Sequence, residues 1–223
     1  MLKVLHNDND YIICQKDAGV LSEHSQCDKN NMPSFIAEYL SEKEESVYPV
    51  HRLDSIVGGI MVYALNKKCA AHLSRIISEN AMQKCYLAVI HGCPDEEKGV
   101  FKDLLFKDSR KNKSFVVNRM RKGVKEASLE YEVLKTAEYD GKIYSLVKIL
   151  LHTGRTHQIR VQFSSRKMPL VGDRRYGSGK DDCSIALWSY SLSFPDLKSE
   201  DTKSFFLEPD WDIYPWNILN GCN

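Results

Sequence analysis

Two short stretches hold the residues able to do covalent chemistry. The first is His51-Arg52-Leu53-Asp54 and the second is His152-Thr153-Gly154-Arg155-Thr156-His157-Gln158-Ile159-Arg160. A lone carboxylate such as Asp54 becomes a nucleophile only when it is held still, ionised and out of water. An arginine at contact distance keeps it ionised and fixes its direction. Arg52 stands two residues before Asp54, and the second stretch adds Arg155 and Arg160. On its own, a loop aspartate is more often a cap or an ion-pair partner than a catalyst.

Other chemistries fit the pattern less well. Hydrolysis by paired carboxylates needs a second acid beside the first. Asp173 is the nearest competitor, and within Gly172-Asp173 it is expected to brace a turn. His152 and His157 lie five residues apart around a turn, with no carboxylate partner nearby, which disfavours a metal site. There is no Walker-type or dinucleotide-binding glycine loop. A redox-neutral reaction that needs neither metal nor cofactor fits these residues.

The elements around the motifs must position them. Val47-Tyr48-Pro49-Val50 is an apolar approach to Asp54, and Gly58-Gly59 leads into a strand-like run, Ile60 to Leu65. Asp54 therefore falls on a loop between buried segments, where a scaffold can hold a reactive group. Val4-Leu5 and Tyr11 to Cys14 read as short strands, with Lys16-Asp17-Ala18-Gly19-Val20 following as a loop. Ser34 to Lys43, after Pro33, and Lys67 to Asn80 have helical spacing. Met82 to His91 is the next strand. Val100-Phe101 and Phe115 to Val117 are strand-like pieces, residues 128–136 and 142–151 form a hairpin about Tyr139-Asp140-Gly141, and Ile185 to Phe194 is strand-like. Gln158 to Ser165 reads as a short helix, and residues 211–219 as an aromatic, partly helical tail.

With 223 residues, 43% hydrophobic and 27% charged, the chain has the profile of a globular enzyme with a sizeable core. No apolar run approaches the length of a membrane span, and the N-terminus lacks a signal peptide's pattern. Seven cysteines with no C-x-x-C pair point to reduced thiols in a cytoplasm. The net charge is only +1, but it is unevenly spread: residues 1–50 hold nine acidic and four basic side chains, residues 102–125 two acidic and nine basic. Such a cluster on a near-neutral chain suits a polyanion-facing surface. The plainer alternative is a solvated loop.

Taken together, the motifs resemble the RluA-type pseudouridine synthases. The match rests on His51-Arg52-Leu53-Asp54, on Gly154-Arg155-Thr156-His157-Gln158-Ile159-Arg160, on Gly172-Asp173-Arg174-Arg175-Tyr176-Gly177, on Lys84-Cys85-Tyr86-Leu87-Ala88, and on Leu187 after Ile185-Ala186. These segments span roughly residues 10 to 195. The resemblance implies a single α+β catalytic domain over residues 1–223, with a mixed, largely antiparallel sheet, flanking helices and a central RNA-binding cleft. It further implies an isomerase that converts uridine in RNA to pseudouridine. Asp54, Arg160 and Tyr86 would be catalytic, with Tyr86 and Leu187 flanking a flipped base, and Arg52, Arg155, His157 and Leu187 would bind substrate. Arg155 is the alternative partner for Asp54. Implied partners are structured RNA, either rRNA or tRNA, with no membrane, no cofactor and no required protein, in a cytoplasmic monomer. The small extra RNA-binding domain that many relatives carry is not expected.

The chain departs from the family pattern at several places. Asp17 stands where a proline is usual, Val57-Gly58-Gly59 where Thr-Ser-Gly is usual, Gln162 for a histidine, and Trp188-Ser189 for His-Ala. The lost hydroxyls and added glycine suggest a freer loop after Asp54. The rival readings are an RNA-binding protein without activity on the same fold, and a nucleosidase using Asp54. Turnover on RNA separates the first from the enzyme, and the second leaves the basic segment unexplained.

Overall fold

The computed structural model describes residues 2–197, 199 and 201–220, and it divides into two compact units. The first comprises residues 1–84 and 189–208, the second residues 85–188 and 209–223.

The first unit is built on β1 (Val4–Asn7), β2 (Tyr11–Lys16), β3 (Tyr48–Pro49), β4 (Gly58–Ala64), most of β10 (Leu187–Pro195) and β11 (Thr202–Phe206). β1 pairs with β2, β2 and β3 with β4, and β11 with β10, all antiparallel. Every residue of β4 is buried, as the run Gly-Gly-Ile-Met-Val-Tyr-Ala requires of a central strand. Helix α1 (Met32–Leu40) starts two residues earlier than its spacing suggests. The Asn31 side chain accepts from the Ser34 N–H, and Pro33 sits in the first turn, where a proline's missing N–H costs nothing. Helix α2 (Lys67–Ser78) is capped in the same way by Asn66 and buries Cys69, Leu73 and Ile76 along one face.

Close packing fixes the glycine step into β4. Gly59 has φ +124°, and a Cβ on it would come within 2.3–2.8 Å of the Ser189 backbone. The Ser189 hydroxyl donates to the Ile60 carbonyl at 3.0 Å. Ser189, a departure from the family pattern, thus packs tightly against Gly59, the position where this chain keeps the pattern's glycine.

The second unit orders its strands β5 (Gln83–His91), β9 (Lys142–Leu151), β8 (Val124–Tyr139), β6 (Lys98–Asp108) and β7 (Lys113–Val117). The β6/β7, β6/β8 and β8/β9 pairs are antiparallel. Helix α3 (Gln158–Ser165) has the bounds its sequence predicts, whereas the tail forms only a short helix α4 (Asn217–Asn220). Helix α3 buries Gln158 to Phe163. Val161 joins Leu105 and Ala127 in one core cluster, and Phe163 meets Phe101 and Tyr131 edge-on. The basic segment is neither a free loop nor two isolated strand pieces. It is largely the β6–β7 hairpin, with its turn at residues 109–112 shaped by the Asp108 carboxylate accepting from the Arg110 and Lys111 N–H groups.

Candidate active site

Asp54 sits in the loop between β3 and β4, and several bonds fix the backbone on either side of it. The Asp54 carbonyl accepts from the Val57 N–H at 2.9 Å, closing a turn. The buried Ser22 hydroxyl donates to the Leu53 carbonyl at 2.9 Å and accepts from the Leu53 N–H at 3.1 Å. From the other side comes Lys16, which is wholly buried. Its ammonium donates to the carbonyls of Asp17 (3.0 Å), Ser55 (2.9 Å) and Val57 (2.7 Å). Burial pushes the Lys16 pKa down to about 8, against the opposing pull of the Asp17 and Asp54 charges. A buried ammonium is tolerated only when its donors are satisfied, and three carbonyls do that here. Lys16 is thus a loop-fixing residue, where its sequence context suggests only a connecting loop. A strongly charged residue at the end of an apolar strand is the available signal.

His51 also has a structural role. Its Nε2 accepts the Val62 N–H at 3.2 Å, so that nitrogen carries no proton. Burial, and then the nearby Lys84 charge, lower its pKa to about 3 from 6.5. The sign follows from the unfolded chain. Below pH 6.5 the unfolded histidine takes up a proton that the folded one refuses, so stability present above pH 6.5 is lost as pH falls towards 3. The variant His51→Gln keeps an acceptor and has no such titration. Its urea-unfolding free energy is expected to lie below that of the wild type at pH 7, with the gap narrowing by a few kcal/mol at about pH 4. A gap independent of pH would contradict this role.

Arg52 is exposed and lies 3.3 Å from exposed Glu23, a pair that contributes little to stability and leaves the guanidinium accessible.

In the second unit, α3 presents Arg160. The guanidinium is 2% exposed and binds Asp173 through two parallel bonds, Nε to Oδ2 at 2.7 Å and Nη2 to Oδ1 at 2.8 Å. Asp173 does brace a turn, accepting from the Arg175 and Tyr176 N–H groups at 3.0 and 3.1 Å. Its pairing with Arg160 is the role that spacing does not reveal. Burial alone would raise the Asp173 pKa; Arg160 and the two N–H donors outweigh it and hold the carboxyl below its ordinary value.

The approach to α3 is equally fixed. The Gln158 Oε1 accepts from the Arg155 N–H (3.0 Å) and the Thr153 hydroxyl (2.8 Å), while its Nε2 donates to the Ser128 carbonyl (3.1 Å). His157, at φ +56°, occupies the left-handed region that non-glycine residues adopt rarely. Its Nδ1 lies 2.9 Å from the Tyr176 hydroxyl, which also accepts the Ser114 N–H at 2.7 Å. The Arg155 Nε donates to the Glu126 carbonyl at 2.9 Å, so this side chain is anchored to β8.

Tyr86 is buried on β5, and Leu187 is buried where β10 begins. The Val89 N–H donates to the Ala186 carbonyl at 3.0 Å, so both residues come from one hydrogen-bonded pair of segments. The second unit therefore carries Tyr86, Arg155, His157, Arg160 and Leu187, and the first carries Arg52 and Asp54. On the β6–β7 hairpin and the chain after it, Lys107, Arg110, Lys111, Arg119, Arg121, Lys122 and Lys125 are exposed, beside the exposed apolar side chains of Phe115 and Met120.

Comparison with known proteins gives a consistent result. A family model described as RNA pseudouridylate synthase matches residues 10–165. A protein of Haemophilus influenzae named tRNA pseudouridine synthase C is 29% identical over 95% of this chain and 95% of its own. An uncharacterized RNA pseudouridine synthase of Zymomonas mobilis is 31% identical over 89% of this chain and 90% of its own. Among solved structures, human RNA pseudouridylate synthase domain containing 1 superposes with a TM-score of 0.79 at 24% identity, covering 97% of this chain and 86% of that one, a likeness of fold.

Proposed function

This chain belongs to the RNA pseudouridylate synthase family and isomerises uridine in RNA to pseudouridine, and from that premise we propose that its substrate is a tRNA and its nucleophile is Asp54. The tRNA assignment is carried by the Haemophilus influenzae relative, whose match runs over nearly the full length of both chains. The reaction breaks the N1–C1′ bond, turns the uracil and joins C5 to C1′. The C5 hydrogen leaves to solvent and N1 ends protonated, so no oxidant or reductant is consumed. The target base must leave its stack before any of this can happen.

The roles divide as follows. Asp54 attacks, from a loop held by Lys16 and Ser22. Arg160, oriented by Asp173, supplies a fixed positive charge. Tyr86 and Leu187 flank the flipped uracil. Arg52, Arg155 and His157 contact the RNA around it. Among the described residues no helix is long and apolar enough to cross a membrane. The working form is one catalytic domain over residues 1–223, a cytoplasmic monomer that needs no protein partner.

Mapping pseudouridines in tRNA and rRNA from a strain lacking this gene tests the substrate. Loss at a tRNA position is expected; loss confined to rRNA overturns the assignment. The exposed basic side chains bind backbone phosphates in this account. Changing Lys107, Arg110, Arg121 and Lys122 to glutamate is expected to weaken RNA binding and flatten its log–log salt dependence, by about 0.7 to 0.9 for each phosphate that is no longer neutralised. Melting should change little, because surface substitutions cost about 0.5 kcal/mol or less. An unchanged salt slope would return the segment to a solvated surface.

A further inference from the structure

The basic hairpin and the turn that holds Arg160 are joined by bonds that use two cations from a strongly basic region. Arg175 lies two residues after Asp173 in the same turn. Its Nη1 donates to the carbonyls of Lys111 (3.1 Å) and Asn112 (2.7 Å), both in the hairpin's turn. In return the Lys113 ammonium donates to the Arg175 carbonyl at 2.8 Å and lies 4.8 Å from the Tyr176 ring centroid. Next along β7, the buried Ser114 donates its N–H to the Tyr176 hydroxyl (2.7 Å) and its own hydroxyl to the Thr156 carbonyl (2.6 Å), one residue before the left-handed His157 that precedes α3. The hairpin is thus fastened on one side to the turn that aims Asp173 at Arg160, and on the other to the start of the helix that carries Arg160.

We propose that Arg175 and Lys113 form a reciprocal clamp that seats the basic hairpin on the Asp173 turn, so that these two side chains serve turnover as positioning residues and do not bind RNA phosphate. The inference rests on the uridine-isomerase reading above. Its physical basis is that both carbonyl bonds of the Arg175 Nη1 run to the hairpin turn, while the Lys113 ammonium is held at a third carbonyl and over the Tyr176 ring, so each charge is fixed by protein contacts. Displacement of the hairpin would then be felt at Asp173 and Arg160, where about an ångström of misplacement is costly to a reaction that depends on orientation.

Salt dependence separates a clamp from a phosphate-binding pair. Arg175→Gln and Lys113→Met would each be assayed for turnover, for the salt slope of RNA binding, for melting, and for amide hydrogen exchange over residues 109–114. The expected result is a fall in kcat of roughly tenfold and faster exchange in the hairpin turn, with the salt slope unchanged. The double variant should lose little beyond either single one, because each alone opens the clamp. Arg175→Lys, which keeps a donor, should recover part of kcat. A drop in salt slope of about 0.7 to 0.9 per residue would overturn the proposal and make these side chains RNA ligands. So would unchanged kcat and exchange in variants that melt normally. If the wild type turns over no RNA, the functional reading fails, and hydrogen exchange still decides whether the clamp exists.

Discussion

Replacing Asp54 with asparagine is expected to reduce turnover on RNA by at least about a thousandfold, because the amide has the size of the carboxylate but not the charge that makes it a nucleophile. RNA binding should survive, since the backbone is held by other side chains. Removing a charge can also unfold a protein by stranding its partner, so a dead variant needs a folding control. The structure favours a folded variant. Arg160 keeps Asp173 as a buried counter-charge, and the loop around residue 54 is held by bonds from the Lys16 and Ser22 side chains and the Val57 N–H to main-chain carbonyls, none of which uses the Asp54 carboxylate. An Asp54→Asn protein that melts like the wild type, binds RNA and still turns over more than about a tenth as fast would remove Asp54 from the chemistry.

The second large effect falls on stability. Asp173 and Arg160 are 0% and 2% exposed at the side chain and share two short bonds. Truncating one member of such a buried pair is strongly destabilising, at a cost of about 3–5 kcal/mol. Asp173→Ala also takes away the acceptor for the Arg175 and Tyr176 N–H groups. For a chain of this size the melting temperature should fall by roughly 10 °C. Activity measured well below the new midpoint should fall too, because Arg160 is no longer aimed. Asp173→Asn should be milder, since its amide oxygen can still brace the turn. An Asp173→Ala protein that melts together with the wild type would show that the pair contributes almost nothing net.

How much of this is legible in the sequence follows from the range of each interaction. The bounds of α3, Gln158 to Ser165, are readable in the sequence. So is the position of Asp54 on a loop, since buried runs flank it. The second role of Asp173 is not readable, because the turn it braces is local but its ion pair reaches back 13 residues to α3. Lys16 reaches 39 and 41 residues to the Asp54 loop, and Ser114 reaches 42 to Thr156, distances over which periodicity carries no information. Strand β11 is not read from the sequence, because Thr202-Lys-Ser-Phe-Phe is mostly exposed and becomes a strand by pairing with β10. Lys113 and Arg175 show a different limit. Composition counts a cation without revealing that part of its donor set already meets backbone carbonyls.

The most direct test of the central claim uses tRNA carrying tritium at uracil C5, incubated with the purified wild-type chain in EDTA without nucleotide. Joining C5 to C1′ must expel that hydrogen, so tritium should pass to water in step with pseudouridine formation, in amounts that approach one per target uridine. No release from any tRNA would contradict uridine isomerisation in tRNA by this chain, and release only after a metal is added back would contradict a metal-independent reaction.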